Sequence, residues 1–423
     1  MNFCRTDFLE KKQITRETRE FLFLPLDFIF RTKNKNTELD IIGIIETGHR
    51  CLVKVINLEI FVDVLLTETY VEFLNNGNRD KFTKIEELLF EELNNKKGYS
   101  LIEQLPGKGF SEPRKYARLF FGKKTDRNNF VKEFNKIFTL ANDDTSLENL
   151  IFRKTRINTC GWNKIFNFEF FSTYIASHSK CNYELEDVNK LSVQVVIQNM
   201  DFIKPCEGPE KDKSIICGWD LETYTPHKFG RIPMPKFEED AIKMCSMSFR
   251  FYYSTEPLLW VLITAIPISE QKLRDLNSGK YTQIKVIVSK NIPLTFSQVL
   301  AVMQPDFLTG YNDGFYDWPF IKARTEDNDY FLNLVSAVKL QHWEKSCYGP
   351  MSFSNIYNKP KTIKIDAENS TLIDGYTIPG CVVFDTAPLM RKREKTETEW
   401  SLKKKKKKHG LETKYDMSYT HMS

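Results

Sequence analysis

The feature that most limits what this chain can fold into is an apolar run, Ile215-Ile216-Cys217-Gly218-Trp219, that ends in Asp220-Leu221-Glu222. A short apolar run of this kind reads as a buried strand over Ser214–Glu222. Side chains alternate faces along a strand, so Asp220 and Glu222 project from one face while Trp219 and Leu221 point into packing. Two carboxylates on one face repel each other unless a proton or a cation intervenes. Hard oxygen donors suit Mg²⁺ or Mn²⁺. The plainer alternative, a solvated strand face, has the same spacing.

A second acidic stretch runs from Pro305 to Ile321 and reads PDFLTGYNDGFYDWPFI. A strand, a Gly-permitted turn and a carboxylate at the start of a helix are the parts its chemistry needs, and Asn312 and Asp317 occupy the polar positions. Asp317 alone would also serve as a helix N-cap, a position Asp favours. Asp306 and Asp313 read as turn residues rather than ligands.

At 423 residues the chain is long enough for two or three domains of roughly 100–200 residues. Its 41% hydrophobic and 13% aromatic content excludes global disorder. Strands are expected at Phe21–Phe30, Ile41–Ile45, Cys51–Val55 and Leu58–Leu66, with helices at Phe82–Leu93 and Asn129–Phe138, which makes a mixed α/β region. Leu191–Ile197 is a further strand-like patch. Pro, Gly and charge cluster at 200–213, dividing a domain 1–200 from a domain 201–423. Strands then follow at Ala241–Tyr253, Leu258–Ile266 and Tyr281–Val288. A helix is expected at Thr295–Met303, a strand-to-loop passage at Pro305–Tyr311, and a helix from about Trp318-Pro319, since Pro suits a first helical turn. That order describes a mixed sheet with helices packed on it.

The net charge is +5, but Arg391–Lys408 alone holds ten basic and three acidic residues. The rest of the chain is slightly acidic, so the total does not by itself argue for nucleic-acid binding. Nine scattered cysteines without a CxxC pair exclude a disulfide framework or zinc knuckle and suit a reducing, intracellular compartment. The apolar runs are shorter than the roughly 20 residues a bilayer span needs, and no signal-peptide core is visible, so no membrane association is expected.

Asp220-Leu221-Glu222-Thr223-Tyr224-Thr225 followed downstream by GYNDGFYDWPFI resembles the first and second exonuclease motifs of family B DNA polymerases. The wording is most similar to polymerases of large double-stranded DNA viruses, asfarvirus-like ones among them. Ile378–Asp385 resembles the strand after the second motif, and Lys154–Trp162 the end of the family's N-terminal domain. The resemblance implies an N-terminal α/β domain followed by a ribonuclease-H-like 3′–5′ exonuclease domain. It further implies a two-metal site of Mg²⁺ or Mn²⁺ held by Asp220, Glu222 and Asp317, which would be the catalytic residues. Asn312 would place the terminal nucleotide, and Tyr311, Phe315 and Tyr316 are packing or base-stacking candidates. The implied partner is DNA, as a single-stranded 3′ end or a primer-template. The implied place is the nucleus or a viral replication site.

Two departures stand beside this resemblance. The family's third motif, Tyr-x3-Asp, is not found after Asp317: none of Tyr330, Tyr348, Tyr357, Tyr376, Tyr415 and Tyr419 has Asp four residues on. The fourth metal ligand is therefore missing, and an exonuclease domain lacking its C-terminal part, weak or inactive as an isolated chain, is expected. No palm-domain signature such as DTDS or SLYPS occurs either, which points to a companion polymerase-domain chain. Lys403–Lys408 replaces an amphipathic helix of the family, and six consecutive lysines leave no apolar face to bury. That run reads as a nuclear-localisation or DNA-binding patch, a solvated frayed helix, or a homopolymeric codon tract. The alternative function is a non-catalytic DNA-binding remnant of a degenerate viral-type polymerase gene.

Overall fold

The computed structural model describes residues 3–9, 14, 17–33, 36–95, 99–104, 112–141, 146–170, 193–227, 231–278, 283–325, 361–364, 370–373, 378, 380–394 and 401–410. Tyr330, Tyr348, Tyr357, Tyr376, Tyr415 and Tyr419 lie outside these residues.

In chain order the first strands are β1 (Glu20–Lys33), β2 (Asn36–Ile45), β3 (Arg50–Val55), β4 (Ile60–Leu65), β5 (Tyr99–Gln104), β6 (Arg114–Phe121) and β7 (Leu140–Ala141). β8 (Asn163–Phe166), β9 (Glu169–Phe170), β10 (Val193–Ile197) and β11 (Ile203–Pro205) follow. They form a seven-stranded sheet in the order β11-β8-β1-β2-β3-β10-β9 and a four-stranded sheet in the order β5-β6-β4-β7. Helices α1 (Glu68–Asn76), α2 (Lys84–Asn95), α3 (Lys124–Phe134) and α4 (Leu147–Thr155) accompany these sheets. α1 starts where the Thr67 hydroxyl accepts the Tyr70 N–H, satisfying a first-turn donor. The expected helix at Asn129–Phe138 lies five residues earlier at its start and ends at Phe134. Phe130, Phe134 and Phe138 are all buried, and Phe138 stacks on Phe134 from the turn beyond the helix end. Their four-residue spacing thus continues past the helix.

The second sheet contains β12 (Ile215–Tyr224), β13 (Ala241–Phe251), β14 (Pro257–Thr264), β15 (Ile284–Val288) and β16 (Phe307–Gly310). β17 (Lys361–Lys364) and β18 (Ser370–Ile373) make a separate hairpin, and β19 (Val382–Asp385) completes the second sheet in the order β15-β14-β13-β12-β16-β19. β13 is antiparallel to both neighbours, while β12, β16 and β19 run parallel to one another. This is the mixed α/β, ribonuclease-H-like arrangement that the resemblance implies. Its helices are α5 (Glu270–Ser278), α6 (Ile292–Met303), α7 (Asp317–Ala323), α8 (Thr386–Arg393) and α9 (Leu402–Lys408). α6 begins where the Asn291 side chain accepts the Leu294 N–H with Pro293 in the first turn, and it is buried along most of its length. Trp219 from β12 meets Trp318 from α7 edge-on at 4.7 Å and Phe296 from α6 at 4.9 Å. These rings fill the core that carries the acidic strand.

Asp306, expected to be a turn residue, is fully buried and joins the two parts of the chain. Its carboxylate pairs with Arg5 at 2.9 Å and Arg50 at 3.0 Å, and accepts the Ile215 N–H at 2.7 Å. Burial alone would raise its pKa, but the two guanidiniums beside it hold it below the usual carboxylate range. Arg50 also donates to the carbonyls of Gln304, Pro305 and Gly380. One side chain therefore sets the start of β12, the entry to β16 and the seat of the N-terminal region. Among the described residues no helix is long and apolar enough to cross a membrane.

Removing one partner of a buried charge cluster strands the others without water. Asp306→Ala is expected to lower stability by about 3–5 kcal/mol in urea unfolding. The exposed Lys81–Glu72 pair, at 3.4 Å, supplies the contrast. Lys81→Ala is expected to cost less than about 1 kcal/mol.

Candidate active site

The carboxyl ends of β12, β16 and β19 lie together, the edge at which open α/β sheets bind ligands. Along β12 the odd positions Ile215, Cys217, Trp219 and Leu221 are buried, while Ile216, Gly218, Asp220 and Glu222 face the half-exposed side. Asp220 and Glu222 thus share a face, as the alternation requires. A Cβ at Gly218, beside them on that face, would meet nothing within 4 Å. The strand is irregular between Glu222 and Thr223, which turns the chain just beyond the second acid.

Asp317 is the first residue of α7 and only 4% exposed. It does not cap the helix from outside. Its Oδ1 accepts the Leu221 N–H from β12 at 3.2 Å, which binds the second motif to the first. Burial pushes its carboxyl up to about 7, and the nearby Asp220 carboxylate adds to the rise. Asp220 and Asp317 are thus brought together. The buried thiol of Cys245, on β13 directly opposite Leu221, is also raised, first by burial and then by these two acids.

Asp313, also expected to be a turn residue, is 1% exposed with its carboxyl turned inward. The Trp219 indole N–H donates to its Oδ2 at 3.1 Å, while Oδ1 finds no partner among the described residues. Burial, then Asp385 and Asp317, push it up to about 8. Gly310 makes this possible, because a Cβ there would stand 2.7 Å from the Asp313 Cβ. Asp385, at the end of β19, is a further buried carboxylate, 2% exposed. Neither the inward turn of Asp313 nor the burial of Asp385 follows from the two motifs. The signal for Asp385 was available: an apolar strand, Cys381–Phe384, ending in an acid just as β12 does.

Asn312 has φ 63°, the left-handed region that Asn tolerates. Tyr311 is half-buried, and burial raises its phenol. The Tyr316 hydroxyl lies 2.6 Å from the Thr223 hydroxyl, one residue past Glu222, and its ring packs on Phe320. Phe315 is 47% exposed beside these groups. The site therefore joins Asp220, Asp317, Asp313 and Asp385 at one strand edge, with Glu222 on the half-exposed face of β12 and Asn312 in the turn that follows β16.

This donor set suits a hard divalent cation: all are oxygens, and the buried Asp317 carboxyl is repelled by the neighbouring Asp220. As the side chains stand, no group of three or more His, Cys, Asp or Glu among the described residues is close enough to hold a metal ion. The fit is thus one of charge and donor type, centred on the Asp220–Asp317 pair.

The lysine run forms α9, begun by Ser401, whose hydroxyl accepts the Lys404 N–H. Contrary to the expectation of a helix without a buried face, Lys405 is 2% exposed. Its ammonium pairs with Glu394 at 2.6 Å, and Lys408 and His409 reach the same carboxylate. Hydrogen bonding from Lys405 leads the causes that hold Glu394 down at about 2. The apolar stem of a lysine can be buried when its charge is met, which is how this helix docks.

The family model described as DNA polymerase family B, exonuclease domain, matches residues 142–404, more than half of the chain. DNA polymerase beta of African swine fever virus, isolate Tick/Malawi/Lil 20-1/1983, is 26% identical over 421 residues, covering 96% of this chain and 31% of the relative. The Badajoz 1971 Vero-adapted strain's polymerase is 26% identical over 413 residues, 94% of this chain and 30% of the relative. The chain thus spans about a third of the length of these curated relatives. Among solved structures, the family B DNA polymerase from the hyperthermophilic archaeon Pyrobaculum calidifontis aligns with TM-score 0.47 and 12% identity, over 86% of this chain and 36% of that one.

The two raised carboxyls set a pH dependence of stability. Their folded values exceed the usual 3.8, so the folded chain holds extra protons. The stabilising contribution is complete below about pH 4 and is lost as pH rises through about 7 for Asp317 and about 8 for Asp313. Thermal unfolding of the cation-free chain is expected to show Tm falling across about pH 5–9, and Asp313→Asn to flatten the upper part of that fall. A Tm that rises through this range would contradict the burial of these groups.

Proposed function

Because the chain belongs to the family of DNA polymerase family B exonuclease domains, we propose that it is the N-terminal and proofreading part of such a DNA-directed DNA polymerase, hydrolysing DNA from its 3′ end. In this reading residues 1–200 are the N-terminal domain and 201–423 the exonuclease domain. Family B exonuclease domains use divalent metal ions. Here the finer proposal is a Mg²⁺ or Mn²⁺ site of two ions. The observation that carries the reading is the Asp220–Asp317 pair at the carboxyl ends of parallel strands, with Asp317 pushed up to about 7 beside its neighbour.

Asp220, Glu222 and Asp317 would hold the cations. When bound, these supply charge that stabilises the attacking and leaving oxygens of an in-line displacement at phosphorus. The chain's own groups do the rest. The Leu221 N–H fixes the Asp317 carboxylate against β12. Asn312, in its left-handed turn, places the terminal nucleotide. Phe315 offers an exposed ring for base stacking, and Tyr311 and Tyr316 line the same turn. The substrate would be a single-stranded 3′ end or a primer-template, with a companion polymerase-domain chain as partner. The buried thiols of Cys51, Cys217 and Cys245, outside any disulfide among the described residues, support a reducing intracellular setting, in a nucleus or at a viral replication site.

A non-catalytic DNA-binding role is the second reading. The lack of a converged three-acid group among the described residues favours it.

One assay separates the two. The purified chain, given Mn²⁺ and a single-stranded oligonucleotide labelled at its 5′ end, is expected to shorten it from the 3′ end and to stop when EDTA is added. Asp220→Ala and Asp317→Ala should each lower the rate at least about a hundredfold, since ligands of one site act as a unit. Salt-sensitive binding without cleavage would establish the second reading. Cleavage that survives Asp220→Ala would reject the site.

A further inference from the structure

We infer that Asp385 is a positioning residue of this site, holding the turn Tyr311–Tyr316 in the shape that presents Asn312 to the 3′ end of the DNA. The inference rests on the exonuclease reading of the site. Asp385 lies outside both sequence motifs, on the last residue of β19 and beside Gly310 in the parallel pairing.

Its carboxylate is a fork of acceptors. Oδ1 takes the Asn312 N–H at 2.8 Å and the Ala387 N–H at 2.9 Å, while Oδ2 takes the Gly314 N–H at 3.2 Å. The next residue, Thr386, donates its hydroxyl to the Gly310 carbonyl at 2.6 Å. The end of β19 and the start of α8 are thereby tied to the whole turn that leaves β16. That turn carries a non-glycine residue at φ 63°, a conformation kept only where the surroundings hold it. Downstream, the turn closes on itself as the Phe315 N–H meets the Asn312 carbonyl at 3.2 Å and the Trp318 N–H meets the Asp313 carbonyl at 2.9 Å. Asp385 therefore governs both Asn312 and the point where α7 delivers Asp317.

A helix cap alone does not explain a carboxylate here. Ser, Thr or Asn would cap α8 without charge. Asp385 instead adds its charge to the rise at Asp313 and Asp317, an unfavourable placement for a purely structural group. What a carboxylate supplies, and a neutral side chain does not, is two acceptor oxygens serving the turn and the helix together. Asp385→Asn keeps size and one acceptor while it releases one arm of the fork.

The test uses the full chain and a fluorescent single-stranded oligonucleotide in Ca²⁺, read by anisotropy, with an unlabelled circular single strand as competitor. Thermal unfolding monitors the fold. The wild-type chain is expected to prefer the free 3′ end over the circle. Asp385→Asn and Asn312→Gly should each weaken end binding about tenfold, and the double variant should be no weaker than either alone, because Asp385 acts through Asn312. End binding unchanged in Asp385→Asn, or losses that multiply in the double variant, would overturn the positioning role. A wild-type chain that binds circle and end alike fails the exonuclease reading itself, and the positioning role falls with it. Should Asp385→Asn not fold, Thr386→Val, which removes only the hydroxyl bond to Gly310, carries the same test with a smaller loss of about threefold and the same non-additivity.

Discussion

The repulsion among acids crowded at the carboxyl ends of β12, β16 and β19 is the constraint on which the rest of this structure depends. Asp317, Asp313 and Asp385 are buried beside one another, with the Trp219 indole on Asp313, and Asp220 stands next to them on the half-exposed face of β12. Three devices make this tolerable. Burial pushes Asp313 up to about 8, which favours its neutral form. Asp385 is met by three backbone N–H groups. Asp317, pushed up to about 7, sits at the edge of ionisation beside Asp220. In the proposed reading, a divalent cation at that edge would remove the remaining repulsion, so the crowding that costs stability would also favour binding of metal.

The scaffold that enforces the crowding is stiff where it must be. Asp306 lies at the opposite, amino-terminal end of β16 and carries an attractive counterpart of the same physics, one acid between Arg5 and Arg50. Its bonds to Ile215 fix β12 against β16, and the Val382 N–H on the Asp306 carbonyl adds β19 at 2.8 Å. The three strands are thus aligned from their starts, and their ends have no choice but to bring the acids together. The N-terminal region contributes both arginines, so this alignment depends on a part of the chain far from the site in sequence.

What the sequence disclosed follows from how local each signal was. The β12 alternation was legible because a strand's period of two is written in consecutive residues, and Trp219 and Leu221 went inward accordingly. Asp317 was legible through its motif, and its bond to the Leu221 N–H replaced the helix-cap alternative with a link across the sheet. Asp306 was not legible, because Arg5 and Arg50 are separated from it by most of the chain. Asp313 does occupy a turn, but its inward carboxyl depends on the missing Cβ of Gly310. Lys405 looked like one of six equivalent charges until Glu394 gave it a buried partner. The N-terminal α3 was placed late because Phe138 repeats the spacing of Phe130 and Phe134 from outside the helix.

The most direct measurement of the central claim is anomalous diffraction from crystals of this chain soaked in Mn²⁺. A manganese peak is expected in contact with oxygens of both Asp220 and Asp317, at roughly the 2.0–2.2 Å of small hard cations. A manganese peak confined to other carboxylates, or its absence from this edge at saturating metal, would contradict it.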